Sequence, residues 1–364
     1  MRPSGAENSR EVHGNNAPLP ENAILNNYQI IRTIARGASS YVYLAKNQHK
    51  HLVAIKEYIP QKFPLRDQAE LDLIILPEHG REFRQYLKTF ISEYRTLSCV
   101  SHPGIVCLID FFCAHNTFYI VTKYEEGSSL KAFLQRRLDN RMGYKKDSLL
   151  NAYLRYQRYK KRSIGSRQLI GERFLQKIFS QLIDAISALH DKQYLYLDLK
   201  PANIYLYSDG NPVLLDLGAA RRTSEKNWRK LNWVYTKGFA APELLQRQRT
   251  LMGPWTDAYG IGATIFACLC GHPPHCADER AVEDKLPLSL KALRKIYSSD
   301  LVDLIEWCLH LDPERRPQTM AALQERLSAC RPNPAPPPGR KFIKRFSKWI
   351  RRKMKTAPPV PRCS

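Results

Sequence analysis

Hydrophobic and polar positions alternate over much of the first third of the chain, which indicates β-strands. Two such runs flank a turn at residues 36–40 within 28–58, and strand character returns over 105–124. Residues 83–100 instead carry apolar positions at helical spacing. The pattern therefore predicts a small β-rich unit that contains one helix.

Helical patterns dominate after the polar break at residues 125–127, and a short β-like patch at 204–217 interrupts them. This arrangement predicts an α+β chain with a small β-rich N-lobe and a larger helical C-lobe. The predicted divisions are a flexible N-terminal segment at 1–27, the N-lobe at 28–124, the C-lobe at 125–331, a proline-rich linker at 332–338 and a basic amphipathic tail at 339–364.

Composition favours a globular, cytoplasmic protein. Hydrophobic residues make up 43% of the 364 positions and charged residues 25%, which is unlike a disordered chain. The longest near-apolar stretch, 261–270, is far below the ~20 residues of a membrane-spanning helix. The nine cysteines form no C-x-x-C pair, which favours reduced thiols.

The positive charge is concentrated in two segments. Residues 331–364 hold eleven basic and no acidic residues, and the insert at 135–173 holds twelve basic and three acidic ones. Together they carry +20 of the net charge of +23, so the rest of the chain is nearly neutral. The basic character therefore belongs to an insert and a tail.

Five short motifs carry candidate chemistry, and their order matters more than any single one. A loop with one glycine, Gly37, precedes Val-Ala-Ile-Lys at 53–56, and Tyr-Leu-Asp-Leu-Lys-Pro-Ala-Asn follows at 196–203. Asp-Leu-Gly at 216–218 and Ala-Pro-Glu at 241–243 complete the series. This ordered set resembles the signature of the protein kinases and implies their bilobal fold over about residues 28–327.

The resemblance implies Mg²⁺-dependent transfer of the γ-phosphate of ATP to a protein hydroxyl. Lys56 is expected to pair with the α- and β-phosphates and with a helix carboxylate, for which Glu93 is the first choice and Glu82 the alternative. Asp198 would accept the substrate proton and Lys200 would contact the γ-phosphate. Asn203 and Asp216 would hold two Mg²⁺ ions. The residues implied to contact ATP are Gly37, Val42, Ala54, Lys56, Tyr124, Asn203 and Asp216.

Further residues indicate the class of kinase, and two positions differ from the usual kinase motifs. Lys200 and Thr236 match serine/threonine kinases, and the surrounding strings resemble a proteobacterial family of such kinases, some of which are linked to a partner phosphatase. The glycine-rich loop keeps only Gly37 of three usual glycines, which predicts weaker ATP binding or an altered loop. Leu197 replaces the usual arginine, so activity is predicted not to require phosphorylation of the activation segment.

Two other classes remain open at this point. A pseudokinase scaffold would act through its basic insert and tail, and a small-molecule kinase would share Asp198 and Asn203. The motifs at 241–243 and around Asp257 favour a protein substrate over a small molecule, and the serine or threonine class rests on Lys200 and Thr236. The insert has tyrosines among its basic residues, but a solvated helical face is favoured over nucleic-acid binding.

The tail predicts a peripheral location at the inner face of a membrane. Nine of the sixteen residues in 340–355 are basic, and Phe, Ile, Trp and Met recur at helical spacing, as in helices that lie on anionic bilayers. A solubilising tail, a tail docked on the kinase itself, RNA and an acidic partner are the alternatives.

Overall fold

The computed structural model describes residues 17–60, 64–67, 69–142, 170–224 and 235–333. The predicted tail and residues 143–169 of the basic insert lie outside the described residues.

An antiparallel six-stranded sheet forms the N-lobe, in the order β1-β2-β3-β4-β8-β7. The β5–β6 hairpin follows β4 in the chain but forms a separate two-stranded sheet, and helix α1 packs on the six-stranded sheet. The bounds are β1 Ile24–Leu25, β2 Tyr28–Arg36, β3 Ser40–Asn47, β4 Leu52–Tyr58, β5 Pro64–Arg66, β6 Leu73–Ile75, α1 Gly80–Cys99, β7 Leu108–Ala114 and β8 Thr117–Lys123.

Both faces of this sheet are covered. On β4, Val53, Ile55 and Glu57 point to one face, whereas Lys56 and Tyr58 point to the face that carries α1, as the period of two requires. The first face holds its own apolar cluster, separate from the large core that continues into the C-lobe. The sheet therefore has a cleft face and a capped face.

The prediction of a flexible N-terminal segment at 1–27 is wrong for residues 17–27, the part that the structure describes. Leu19 is only 2% exposed, and its backbone N–H donates to Tyr43 Oη at 3.0 Å. Strand β1 then pairs with β2. The polar composition of the segment hid these contacts, because Leu19 and Leu25 are buried only once the capped face exists.

The long spacing between Lys56 and α1 also has a structural explanation. The β5–β6 hairpin lies within this interval, and Leu73 of β6 is buried in the capped face. The extra residues therefore form part of the cover on the sheet and do not displace α1.

Helices form most of the C-lobe around α5, in which every residue from Thr256 to Leu269 is buried. Two short sheets, β9-β11-β12 and β10-β13, lie in the same lobe. The bounds are β9 Gly127–Ser129, α2 Leu130–Met142, α3 Glu172–Asp191, β10 Tyr194–Leu195, β11 Ile204–Tyr207, β12 Pro212–Leu214, β13 Arg221–Arg222, α4 Pro242–Leu245, α5 Pro254–Cys270, α6 Ala277–Val282, α7 Leu286–Leu293, α8 Ser299–Cys308 and α9 Met320–Ala329.

Within the part of the chain that the structure describes, no helix combines the length and the apolar character needed to cross a membrane.

A buried ion pair joins the short helix α4 to the base of the C-lobe. The guanidinium of Arg316 contacts both carboxylate oxygens of Glu243 at 2.8 and 3.0 Å, and both side chains are almost fully buried. Arg316 also lies 5.1 Å from the ring centre of Tyr259. This pair fixes the segment that precedes α5.

Arg316→Met should lower the free energy of unfolding by about 3–5 kcal/mol, because it leaves the Glu243 carboxylate buried without its cation. Arg294→Met is the matched control, since Arg294 pairs with Asp303 and Glu306 at the surface. The control should cost about 0–1 kcal/mol. Urea unfolding of both variants measures the difference, and equal losses would contradict a special role for the buried pair.

Candidate active site

Lys56 and Glu93 form an ion pair between strand β4 and helix α1. Lys56 Nζ lies 2.8 and 2.7 Å from the two carboxylate oxygens of Glu93 and 3.5 Å from Asp216 Oδ1. Glu93 is buried on α1, whereas Glu82, the alternative partner, is exposed. The lysine thus joins both lobes at the cleft.

The charges in this group support one another. Burial disfavours the Lys56 cation, but Asp216 and Glu93 outweigh it and raise the pKa of the lysine. Burial raises the pKa of Glu93 to about 7, against the lowering effect of Lys56. Lys56 lowers the pKa of Asp216, which keeps that carboxylate ionised. Glu93 therefore depends on Lys56 for its charge, and Asp216 is available as an anion.

The loop that carries Asp198 is held from below by Asp257 of helix α5. The Asp257 carboxylate accepts the backbone N–H groups of Tyr196 and Leu197 at 2.8 and 2.7 Å, and it lies 2.8 Å from His190 Nε2. Leu197 has a left-handed backbone with φ of 68°. These contacts hold the sharp turn that directs Asp198 into the cleft.

Asp198 stands at the centre of a compact polar cluster. Its Oδ1 accepts from Thr236 Oγ1 at 2.8 Å, and its Oδ2 contacts Lys200 Nζ at 2.5 Å and Asn203 Nδ2 at 3.0 Å. Lys200 Nζ also contacts Thr236 Oγ1 at 2.8 Å. A carboxylate oxygen has two lone pairs, so Oδ1 can accept from a substrate hydroxyl as well.

Asn203 and Asp216 provide the oxygens that a hard cation prefers. They flank the β11–β12 hairpin, and the Leu215 N–H donates to the Asn203 carbonyl at 3.2 Å. Because Asn203 Nδ2 donates to Asp198, its Oδ1 is left for a ligand, and Asp216 is half exposed at 51%. This donor set fits Mg²⁺, which binds through a few carboxylate or amide oxygens and retains waters.

The other predicted ATP contacts surround the same cleft. Val42 pairs with Lys56 across β3 and β4, and Ala54 lies two residues before Lys56 on the same face. Tyr124 directly follows β8 and is half-buried. The Gly37 N–H donates to the Ser40 carbonyl at 2.7 Å, so the loop with one glycine closes on itself.

Comparison with known proteins gives the family. The sequence profile of the protein kinase domain matches residues 28–328. The chain belongs to the protein kinase family. A solved structure titled "PpkA-294 apo form" has 30% sequence identity to this chain and a TM-score of 0.66. The match covers 85% of this chain and 99% of that chain. The bilobal kinase fold predicted from the motifs is thereby confirmed.

Curated relatives give the class. The serine/threonine-protein kinase STE20 of Candida glabrata is 24% identical over 295 residues, which are 79% of this chain and 26% of that protein. A serine/threonine-protein kinase of Arabidopsis thaliana is 22% identical over 312 residues, or 85% of this chain and 56% of that protein. The chain spans about a quarter of the length of the STE20 relative. Both of these relatives are serine/threonine-protein kinases, and the scaffold alternative has no support from them.

Leu197 lies in an apolar cluster where most kinases have an arginine. It is 7% exposed and belongs to a cluster with Ala240, Leu244 and Met252, beside the Ala-Pro-Glu motif. Thr223 and Ser224 are described, whereas residues 225–234 of the activation segment are outside the described residues. Apolar packing therefore connects the loop that carries Asp198 to α4.

Sequence reasoning missed a second link between β4 and α1. The hydroxyl of Tyr58 donates to the Phe83 carbonyl in the first turn of α1 at 2.6 Å, and the ring contacts Phe83 and Phe90. Tyr58 follows Lys56 by two residues, so both side chains reach α1 from the same face of β4. An aromatic residue at this position in the alternation was the available signal.

Glu93→Gln should reduce kcat/KM for ATP by about ten- to hundredfold, because it removes the charge that orients Lys56. Glu82→Gln makes the same change on the exposed part of α1 and should leave kcat/KM unchanged. Steady-state phosphorylation at varied ATP concentration measures both variants. Equal effects, or an effect of Glu82→Gln alone, would contradict the pairing with Glu93.

Proposed function

We propose that this chain transfers the γ-phosphate of ATP, with Mg²⁺, to serine or threonine hydroxyls of protein substrates. The observation that carries the proposal is the convergence of Lys56, Asp198 and Asp216 on one cleft, each held by its own partner. Phosphoryl transfer requires mainly such positioning and charge neutralisation.

The side chains divide the task. Lys56 binds the phosphates of ATP, while Glu93 holds the lysine in place. Asp198 accepts the proton of the attacking hydroxyl, and Lys200, 2.5 Å from that carboxylate, compensates charge on the transferred group. Asn203 and Asp216 would hold Mg²⁺, which would supply neutralisation of the phosphate charge.

The sequence resemblance of Lys200 and Thr236 to serine/threonine kinases supports serine or threonine as the acceptor, and the position of Thr236 is consistent with it. The Thr236 hydroxyl bridges Asp198 and Lys200, so it lies beside the position that an acceptor hydroxyl must reach. A small-molecule acceptor is disfavoured, because the resemblance to protein kinases implies that the motifs containing Glu243 and Asp257 brace a surface for a peptide. In this chain Glu243 pairs with Arg316, and Asp257 accepts backbone N–H groups of the loop that carries Asp198.

Asp198→Asn should lower the rate of phosphate transfer by about a hundred- to ten-thousandfold, because it removes the base. Asp216→Ala should have a comparable effect through loss of a metal ligand. Asp209→Asn changes an exposed turn of the same lobe and is the control. Transfer of labelled phosphate from ATP, with and without EDTA, measures all three. Persisting transfer in both active-site variants would overturn the assignment.

The basic tail at 340–355 extends the proposal to location. We assign it to the surface of an anionic membrane, where each basic residue adds about 1 kcal/mol of attraction. The proline-rich linker at 332–338 would let the kinase stand off that surface. Affiliation with a proteobacterial branch and a partner phosphatase that reverses the modification are proposed from the sequence resemblance alone.

The full chain should sediment with anionic vesicles at low salt, whereas a chain that ends at Pro332 should remain in the supernatant. Neutral vesicles should retain neither protein, because the attraction is electrostatic. Co-sedimentation followed by gel analysis measures the bound fraction. Equal recovery of both chains with anionic vesicles would reject the tail as the anchor and favour docking on protein or nucleic acid.

A further inference from the structure

A buried polar network lies on the capped face of the N-lobe sheet, opposite the ATP cleft. Its members are Tyr43 of β3, Glu57 of β4, Arg66 of β5 and Tyr119 of β8, and each is at most 2% exposed. The predicted catalytic machinery uses none of them. We call residues 17–25 together with 64–67 and 69–75 the cap, because these segments cover the network.

Glu57 is the centre of this network. It accepts the hydroxyls of Tyr43 and Tyr119 at 2.6 Å each, and Arg66 Nη2 at 2.8 Å. Burial and the neighbouring Glu57 raise the pKa of both tyrosines, so their hydroxyls keep their protons and donate. The two hydroxyl donors and the guanidinium therefore all stabilise the negative charge of the Glu57 carboxylate.

Arg66 joins the cap to this carboxylate. Its Nε donates to the Ala17 carbonyl at 2.9 Å, and its Nη1 donates to the Leu71 carbonyl at 2.7 Å. One guanidinium thus holds the N-terminal segment, the hairpin and strand β4 together. A planar group with five donors in fixed directions suits this task, whereas a lysine has one point charge.

The network and the catalytic lysine occupy consecutive positions on β4. Glu57 points to the cap, while Lys56 and Tyr58 point to α1 and reach Glu93 and Phe83. The end of the strand is thereby fixed from both faces. A shift at Glu57 moves the backbone from which Lys56 extends, because adjacent residues share one peptide plane.

Resting on the proposed phosphotransfer, we propose that Arg66 is a positioning residue for ATP binding, which acts through Glu57 to hold Lys56 in register with helix α1. The cap then influences the nucleotide site from the opposite side of the sheet, without contacting it. Arg66→Met leaves a buried carboxylate next to Lys56 without its cation. Arg66→Lys keeps the charge but cannot make all three contacts.

Steady-state phosphorylation at varied ATP concentration, with thermal unfolding of the same samples, tests this role. Arg66→Lys and Arg66→Met should each raise KM for ATP by about three- to thirtyfold, with a smaller change in kcat. Adding Glu57→Gln to Arg66→Met removes the unpaired charge and should restore part of the ATP affinity. Arg32→Met, at an exposed position on β2, is the control and should change neither KM for ATP nor kcat.

The outcomes separate three cases. A lower unfolding temperature with unchanged KM for ATP in both folded Arg66 variants would overturn the proposal and leave the cap a purely structural element. A rise in KM for Arg32→Met equal to that of Arg66→Lys would also overturn it. Absence of phosphate transfer by the unaltered protein would instead contradict the proposed function. If Arg66→Met does not fold, Arg66→Lys and the double variant decide the question.

Discussion

The ion pair between Lys56 and Glu93 is the interaction on which the rest of the site depends. A buried carboxylate is costly unless a cation accompanies it, and Glu93 is buried on α1. The pair therefore holds α1 against β4, and the same lysine contacts Asp216 of the C-lobe. Helix α1, strand β4 and the loop that carries Asp216 are thus held relative to one another by one ammonium group.

Around this pair, β4 is held by neighbours of different chemistry. Tyr58 contacts α1 through a hydrogen bond and aromatic packing, and Glu57 holds the cap from the other face. In the C-lobe, Asp257 fixes the catalytic loop through its backbone, while Leu197 packs against α4. The assembled arrangement is thus stabilised by interactions that require no added phosphate.

The bilobal fold and the residues of the cleft could be predicted from the sequence, because the motifs occur in the order that the protein kinase fold requires. The order of Lys56, Asp198, Asn203 and Asp216 predicted two lobes, and the structure brings these side chains to one cleft. Glu93 was the first choice and Glu82 the alternative, and Glu93 is the carboxylate that contacts Lys56.

The cap could not be predicted, because its contacts join segments that are distant in sequence. The sequence around Leu19 and Arg66 shows no pattern that indicates burial. Both residues are buried only against the capped face of the sheet, which forms from strands that are distant in sequence. One signal was present. Glu57 follows Val53 and Ile55 in the alternation, so a charged residue at that position indicated a buried partner.

We expect packing and buried charge to assemble the site without phosphate on the activation segment. The direct measurement is the initial rate of a chain that carries Thr223→Ala and Ser224→Ala, shown by mass spectrometry to hold no phosphate. We expect a rate within about threefold of the unaltered kinase, since Leu197 cannot bind a phosphate. A drop of about a hundredfold would contradict it and show that a phosphate completes the site.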